Sequence, residues 1–315
     1  MTENLFFSLG TALPIFLMMT AGWGLKQTGM IDDSFTAKAN NLIFYVALPI
    51  KLFSDVSHTS FLEAFDATFI LFLIGIMVMG FALSVLVGKL VINNTAQLGA
   101  FVQGSFRGNF LYIGYSLMEN ITGTIGPKVP MVAAFVVPAY NILSVLALSL
   151  SGSEMNPQNR WRNIWLGILR NPIILGITAG ALFSLLPVEM PLFVDRTMGY
   201  FSALTMPMAL LMIGASFRVT NAMKALPLAL LSTSIKLVIF PMAAVLLALS
   251  VGYRGEEVVL TFVLYGVPTA TTSYIMAVAM KNDHELTASI IMITTALSII
   301  TMTAFIFAFR TTGII

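Results

Sequence analysis

The sequence predicts an all-α integral membrane protein in which ten transmembrane helices form two inverted five-helix repeats. Composition is the first reason: the 315 residues are 58% hydrophobic and 10% charged, with a mean hydropathy of +0.92. A soluble domain would carry about 25% charged residues. The second reason is a series of apolar segments, each close to the ~20 residues that cross a bilayer as a helix. The third reason is that the two halves carry matching residues at a constant spacing.

Ten apolar segments follow one another along the chain, separated by short polar connections. Those of the first half are 5–25, 36–57, 67–90, 96–118 and 129–151, and those of the second half are 164–186, 192–217, 225–250, 257–280 and 286–309. No connection is long enough for a soluble domain. We therefore expect one transmembrane domain in the lipid bilayer, made of a first repeat, 1–155, and an inverted second repeat, 156–315.

The two halves share residues at constant spacing. Five positions of the first segment recur 158 residues later in the sixth: Pro14, Ile15, Thr20, Ala21 and Gly22 match Pro172, Ile173, Thr178, Ala179 and Gly180. Five of the fourth recur 162 residues later in the ninth: Gly104, Tyr112, Ile113, Met118 and Asn120 match Gly266, Tyr274, Ile275, Met280 and Asn282. Because each half has an odd number of spans, the second copy must be inverted, as is typical of secondary transporters.

Lysine and arginine set the expected orientation, because the cytoplasmic loops of membrane proteins carry more of these residues. With the N-terminus outside, nine of the 16 fall in inner loops: Lys26, Lys38, Lys89, Arg160, Arg162, Arg170, Arg218, Lys224 and Lys281. Four fall in outer loops: Lys128, Arg196, Arg254 and Arg310. We expect both termini outside the inner (plasma) membrane of the cell.

The composition argues against several kinds of chemistry. The chain has no cysteine, which excludes disulfides and thiolate chemistry, and its two histidines lie near predicted loops. We see no metal cluster, no cofactor motif and no buried carboxylate pair, so an intramembrane enzyme is the least favoured alternative. The net charge of +2 gives no indication of a nucleic-acid partner.

The fourth segment contains a polar interruption where lipid would demand hydrocarbon. Arg107, Gly108 and Asn109 lie in the middle of the apolar stretch, between Gly104 and Gly114. Unsatisfied polar groups in lipid cost several kcal/mol, so such backbone is tolerated only inside protein or beside a wet cavity. Close helix packing with a snorkelling arginine is the structural alternative. We favour a functional helix break, since intramembrane ionisable residues mark sites.

The ninth segment has a matching interruption. Gly266 and Pro268 lie in mid-span and are followed by the hydroxyl residues Thr269 and Thr271. Proline removes one helical N–H and frees a carbonyl, so the helix must kink or unwind there. On the repeat register Asn109 corresponds to Thr271, and we expect the two to meet near the midplane. Paired interruptions in the two halves are a strong sequence indication of a transporter's binding site.

The charges inside the spans are positive. Lys51 has Asp55 four residues later and is expected to pair with it, whereas Arg107 and Lys236 have no acidic residue at the centre of any span. An anionic substrate or freed carbonyls would offset their cost. Tyr140 and Asn141 in the fifth segment are further candidate lining residues, although an interhelical hydrogen bond is the commoner role of such an asparagine.

Several motifs resemble the auxin efflux carrier family over nearly the whole chain. They include Gly22-Trp23-Gly24-Leu25-Lys26, Ala47-Leu48-Pro49, Phe106-Arg107-Gly108-Asn109, Arg170-Asn171-Pro172 and Gly266-Val267-Pro268. The resemblance implies crossed broken helices four and nine, similar to bile-acid symporters and sodium/proton antiporters, with a scaffold and a mobile transport domain. It carries the family's crossover asparagine onto Asn109 and raises a homodimer as an expectation. Tyr115 stands where the family often has a proline.

We therefore expect a secondary transporter that moves a small organic anion, a mono- or dicarboxylate, by alternating access. The family includes bacterial malonate and malate carriers, so the resemblance implies a substrate of this kind. The expected substrate-binding residues are Arg107, Gly108, Asn109, Tyr140, Asn141, Lys236, Pro268, Thr269 and Thr271. The helix breaks are expected to rest on Gly104, Gly114, Gly266 and Pro268. A sodium- or proton-coupled symporter or antiporter of another small solute remains the alternative within transport.

Overall fold

The computed structural model describes residues 2–58, 65–149, 170, 172–186, 190–216 and 226–314. These residues are helical apart from their connections, and the only extended pairing among them is one isolated bridge. The α-helices of the first half are α1 (Thr2–Gln27), α2 (Asp33–Leu42), α3 (Leu48–Ser57), α4 (Ala67–Val91), α5 (Thr95–Phe106), α6 (Tyr115–Thr122) and α7 (Lys128–Ser149). Those of the second half are α8 (Pro172–Ser184), α9 (Leu192–Ala215), α10 (Leu226–Ser234), α11 (Phe240–Val251), α12 (Glu256–Gly266), α13 (Thr272–Ala279) and α14 (His284–Thr312).

The all-helical architecture predicted from the sequence is confirmed for the described part of the chain. Five stretches there are long and apolar enough to cross a membrane: Ala67–Val91, Lys128–Ser149, Leu192–Ala215, Leu226–Val251 and His284–Thr312. Large apolar side chains such as Leu71 and Leu90 point outward from α4, as lipid-facing residues must. The expected boundary between the repeats, at 155 and 156, lies outside the described residues, as do Arg160, Arg162, Arg218 and Lys224.

Local sequence signals explain where the helices begin and end. Asp32, Asp66 and Asp283 each accept a hydrogen bond from a backbone N–H in the first turn of the helix that follows. Such side-chain caps satisfy donors that have no partner within the helix. At the other ends of helices, Gly123 and Gly252 adopt positive φ, a conformation that closes a helix at little cost only for glycine.

Three five-residue π-helical segments were not predicted from the sequence. They span Ile43–Ala47, Phe110–Gly114 and Ile235–Ile239, and in each the next N–H bonds to a carbonyl five residues earlier. Two of them lie directly before Pro49 and Pro241. Because proline cannot donate to the carbonyl four residues earlier, widening of the preceding turn lets the helix continue past it.

The helices form two packing groups, which contact each other where α1 packs on α14. In the first, α1 packs on α9, and α3 packs on both α8 and α9. Glycines bring these backbones together: a Cβ on Gly214 would lie 1.8 Å from the Met19 carbonyl oxygen, and one on Gly176 would lie 2.5 Å from that of Pro49. In the second group, α4 packs on α5, α11 on α12, and α10 on α14. The second group contains both helix interruptions.

Candidate functional site

The first interruption lies between α5 and α6. Helix α5 ends at Phe106, and Arg107 is extended, with φ −79° and ψ 116°. Asn109 has φ −85° and ψ 59°, after which the chain resumes helical structure at Phe110. Gly104 lies inside α5, and Gly114 ends the π-helical segment. The break thus occupies the three-residue segment 107–109.

The second interruption lies between α12 and α13. Helix α12 ends at Gly266, Val267 is extended, with φ −65° and ψ 151°, and helical structure returns at Thr272. Pro268 is the second residue of this break, and it cannot donate a backbone hydrogen bond to the helix before it. The two non-helical segments, 107–109 and 267–271, meet in the interior of the molecule.

The two breaks cross and bond to each other through their backbones. Gly108 and Thr269 form an isolated antiparallel bridge. The Asn109 N–H donates to the Pro268 carbonyl at 2.8 Å, and the Ala270 N–H donates to the Arg107 carbonyl at 3.4 Å. Each break therefore satisfies polar groups that the other leaves without a helical partner. A Cβ on Gly108 would approach the Leu264 carbonyl oxygen to 2.8 Å, so the crossing requires glycine there.

Side chains cap the carbonyls that the breaks release. Pro268 cannot donate to the Leu264 carbonyl, and the Tyr140 hydroxyl donates to it instead, at 3.3 Å. The Lys236 Nζ donates to the Tyr265 carbonyl. The Thr269 hydroxyl donates to the Gly104 carbonyl at 2.7 Å. Tyr140, Lys236 and Thr269 thus hold the ends of the broken helices.

The Arg107 guanidinium lies buried beside the crossing and is held by neutral groups. Its Nη2 donates to Asn141 Oδ1 at 2.9 Å and to Thr272 Oγ1 at 3.2 Å, and its Nη1 donates to the Met276 sulfur at 2.7 Å. Among the described residues, no carboxylate forms an ion pair with it. A guanidinium has more N–H donors than these contacts use. Its positive charge is therefore held in place without being neutralised.

A cavity of about 200 Å³, which we call the crossing cavity, lies against Arg107 and both breaks. Its lining residues are Phe44, Arg107, Gly108, Asn109, Phe110, Leu111, Tyr112, Val137, Tyr140, Asn141, Ala270, Thr271, Thr272 and Met276. The Asn109 side-chain Nδ2 is buried, and no described residue accepts a hydrogen bond from it. A buried donor without an acceptor is costly, which makes it a candidate for contact with a bound molecule.

The structure brings together most of the residues singled out in the sequence. Arg107, Gly108, Asn109 and Thr271 line the crossing cavity, together with Tyr140 and Asn141. Pro268 and Thr269 shape the crossing but are not among the lining residues, and Lys236 is fully buried behind it.

Eight lining residues were not among the expected substrate-binding residues: Phe44, Phe110, Leu111, Tyr112, Val137, Ala270, Thr272 and Met276. Thr272 could have been found, because it continues the run of hydroxyl residues after Pro268. Phe44 and Met276 are ordinary residues of apolar segments and carry no signal of their own. Only the fold brings them to the site.

A second cavity, of about 390 Å³, lies between α1, α3, α9 and α6. Its polar lining residues are Lys51, Ser116, Glu119, Asn120 and Ser202. Lys51 Nζ lies 3.4 Å from Asp55 Oδ2, the pair that the four-residue spacing predicts. Lys51 therefore has a counter-ion within its own helix, unlike Arg107.

The chain is similar to known membrane transport proteins. The family described as "Membrane transport protein" matches residues 7–306. The chain is 29% identical over 310 residues to a "Putative malonate transporter" of Rhizobium meliloti, covering 96% of this chain and 95% of that protein. It is 22% identical over 300 residues to an "Uncharacterized transporter" of Methanocaldococcus jannaschii, covering 93% and 96%. It is 21% identical over 305 residues to an "Uncharacterized transporter" of Methanothermobacter thermautotrophicus, covering 94% and 96%.

The family and these relatives are named as transporters and not as enzymes, which confirms that expectation from the sequence. The family match spans both halves of the chain and both helix interruptions. Together with the apolar helices, it identifies the chain as a multi-pass membrane protein. The chain belongs to the membrane transport protein family, the family of the auxin efflux carriers.

Proposed function

We propose that this protein is a secondary transporter that moves a small organic anion, a mono- or dicarboxylate, across the inner membrane of the cell. The observation that carries the proposal is the Arg107 guanidinium, which is buried, faces the crossing cavity and contacts only neutral acceptors among the described residues. A buried charge without a counter-ion is costly. A carboxylate that enters the cavity would supply the counter-ion and bind the planar guanidinium through two parallel hydrogen bonds.

The surroundings of Arg107 favour an anion as well. The helical segments that resume at Phe110 and at Thr272 both begin at the crossing, and the N-terminal end of a helix carries partial positive charge. The free Nδ2 of Asn109 and the Thr271 hydroxyl offer two further donors on the cavity wall. We assign Gly108, Pro268 and Thr269 to the shape of the site, and Tyr140 and Asn141 to its wall.

The size of the crossing cavity indicates the size of the substrate. Pockets for drug-sized ligands measure about 300–1,000 Å³, and this one is near 200 Å³. A short carboxylate fits such a space better than a molecule with two fused rings. One relative is named a "Putative malonate transporter", and malonate is a three-carbon dicarboxylate, so it is the first compound to test.

Alternating access would follow from two inverted repeats, 1–155 and 156–315, which we propose as the architecture. The packing of the described helices supports it, because the contacts come in corresponding pairs. Helix α1 packs on α9 as α8 packs on α3, and α4 packs on α5 as α11 packs on α12. The four helices of the first packing group would form a scaffold, and the second group would carry the substrate. The family resemblance adds the expectation of a homodimer.

A thermal-shift measurement on the purified protein tests the proposal directly. A ligand that binds only the folded state stabilises it by RT ln(1 + [L]/Kd), so the melting temperature rises with ligand concentration. We expect malonate and other short carboxylates to raise it, and the neutral malonamide, matched in size, to have no effect. Malonate should also accumulate in proteoliposomes that contain the protein. If amides and amines stabilise the protein as well as the acids do, the assignment of an anion is wrong.

A further inference from the structure

Lys236 is a basic group at the crossing that does not line the crossing cavity. Its side chain is fully buried, and its Nζ donates to the Tyr265 carbonyl. A Cβ added at Gly108 would lie 3.3 Å from this Nζ. Gly108 lines the cavity and has no side chain. The Lys236 nitrogen therefore lies against a residue whose backbone forms part of the cavity wall.

The groups around Lys236 include no acid among the described residues. Its helical segment packs on α5, α12 and α14. The titratable residues at this part of the crossing are Tyr265, whose carbonyl Lys236 contacts, and Tyr140, which bonds to the adjacent Leu264 carbonyl. The charged Arg107 precedes Gly108 in the chain. Helix α5 contains no ionisable side chain. The charged or titratable groups of α12 and α14 other than Tyr265 lie towards the helix ends: Glu256, Glu257, His284, Glu285 and Arg310.

This environment makes the charge of Lys236 depend on what fills the cavity. An ammonium has three N–H donors, and the Tyr265 carbonyl is the one acceptor that the described residues give it. With the cavity empty, a protonated Lys236 would be, in addition to Arg107, a second buried cation without a counter-ion among the described residues, which is costly in a medium of low polarity. An anion bound to Arg107 neutralises the guanidinium, and a dicarboxylate dianion leaves a net negative charge there, so either one favours the ammonium.

We propose that Lys236 takes up one proton when the anion binds and gives it up when the anion leaves, so that the protein is a proton–anion symporter. The proton comes from water on the side of entry, binds the lone pair of Nζ, and returns to water on the opposite side. No other covalent bond forms or breaks. This inference rests on the anion site proposed above and adds the coupling ion to it.

The test is malonate accumulation in proteoliposomes, with the membrane potential held at zero by potassium and valinomycin. Each coupled proton multiplies the accumulation ratio about tenfold per pH unit of gradient, because tenfold corresponds to ~1.4 kcal/mol. The wild type and Lys236→Met receive the same malonate species at each pH. The difference between them therefore reports the proton that the protein itself carries. For a gradient of one pH unit, we expect the malonate accumulation ratio to rise about tenfold less with Lys236→Met than with the wild type.

Two further variants sharpen the comparison. Lys236→Arg keeps a permanent positive charge, because an arginine side chain does not lose its proton in proteins, so it should lose the same tenfold response. Lys89→Met removes an exposed lysine at the end of α4 and should keep the response of the wild type. An internal pH dye records proton entry in the wild type, so the proposal can be tested even if Lys236→Met fails to insert.

The outcomes separate this inference from the proposed function. If Lys236→Met or Lys236→Arg responds to the gradient like the wild type, Lys236 is only a cap for the Tyr265 carbonyl. If the wild type accumulates malonate but no protons enter with it, the coupling is wrong and the anion transporter stands. If no short carboxylate binds to the wild type or is transported by it, the proposed function fails, and the inference fails with it.

Discussion

At the scale of single residues, the polar groups inside this membrane protein differ in whether they have a partner. Lys51 has Asp55 beside it on the same helix. Arg107 donates hydrogen bonds to an amide oxygen, a hydroxyl and a thioether. No described residue accepts a hydrogen bond from the side-chain Nδ2 of Asn109. Groups of this kind are expensive in a folded protein unless a ligand completes them. Arg107 and Asn109 both line the crossing cavity, and we propose these two residues as the core of the anion site.

Arg107 offers the first prediction. Replacing it with glutamine removes the charge and should raise the KM for malonate uptake at least about tenfold, since a hydrogen bond to a charged group contributes about 1.5–3 kcal/mol. Arg107→Lys should give an intermediate KM, because an ammonium keeps the positive charge but lacks the planar guanidinium that binds a carboxylate through two hydrogen bonds. Uptake in proteoliposomes measures both, with membrane insertion as the control. Normal transport by Arg107→Gln would make the residue structural.

Asn109 and Thr271 offer the second prediction, from opposite halves of the chain. Asn109→Ala and Thr271→Ala should each raise the KM about ten- to a hundredfold, which corresponds to one hydrogen bond to a carboxylate. If both side chains contact one substrate, the double variant should deviate clearly from the sum of the two effects. A double-mutant cycle on uptake provides the measurement. If the changes in KM are small and simply add in the double variant, the substrate binds elsewhere.

At the scale of elements, the crossing depends on two broken helices whose ends are capped by other helices. Tyr140 of α7 caps the Leu264 carbonyl, and Lys236 caps the Tyr265 carbonyl. Proline and glycine signals in the sequence were sufficient to predict both interruptions, because these residues act locally on the backbone. The identity of the caps was not predictable, since they come from distant segments that only the packing brings to the break.

Gly108 gives a prediction at this scale. A Cβ there would lie 2.8 Å from the Leu264 carbonyl oxygen and 3.0 Å from a Val267 methyl group. Overpacking of this kind costs about 1–3 kcal/mol. Gly108→Ala should therefore lower both thermal stability and malonate uptake. Gly75→Ala is the matched control, because a Cβ at Gly75, in the middle of α4, meets no atom within 4 Å.

At the scale of the whole molecule, contacts between helix ends agree with alternating insertion. Lys128 at the start of α7 pairs with Glu257 at the start of α12, and both lie on the expected outer side. On the opposite side, the Asp283 N–H donates to the Ala96 carbonyl at 3.3 Å. Composition and charge bias predicted these sides from sequence. The sequence could not predict which helices pack together, because nearly every segment is apolar on all sides.

The absence of native cysteine makes the orientation straightforward to test. Thr124→Cys lies between α6 and α7 on the expected outer side, and Asn93→Cys lies between α4 and α5 on the expected inner side. An impermeant maleimide added to intact cells should label the first and not the second, and permeabilised cells should show labelling of both. Labelling of Asn93→Cys alone would mean that both termini lie inside.

The thioether that holds the Arg107 guanidinium has a consequence for oxidative chemistry. A thioether is a weak acceptor, and Met276 faces the crossing cavity. Conversion to the sulfoxide would place a strongly accepting oxygen against the guanidinium and occupy the donors that a carboxylate needs. Peroxide should therefore reduce malonate uptake, and methionine sulfoxide reductase should restore it. The chain has 20 methionines, and Met276→Leu alone should make transport resistant to peroxide.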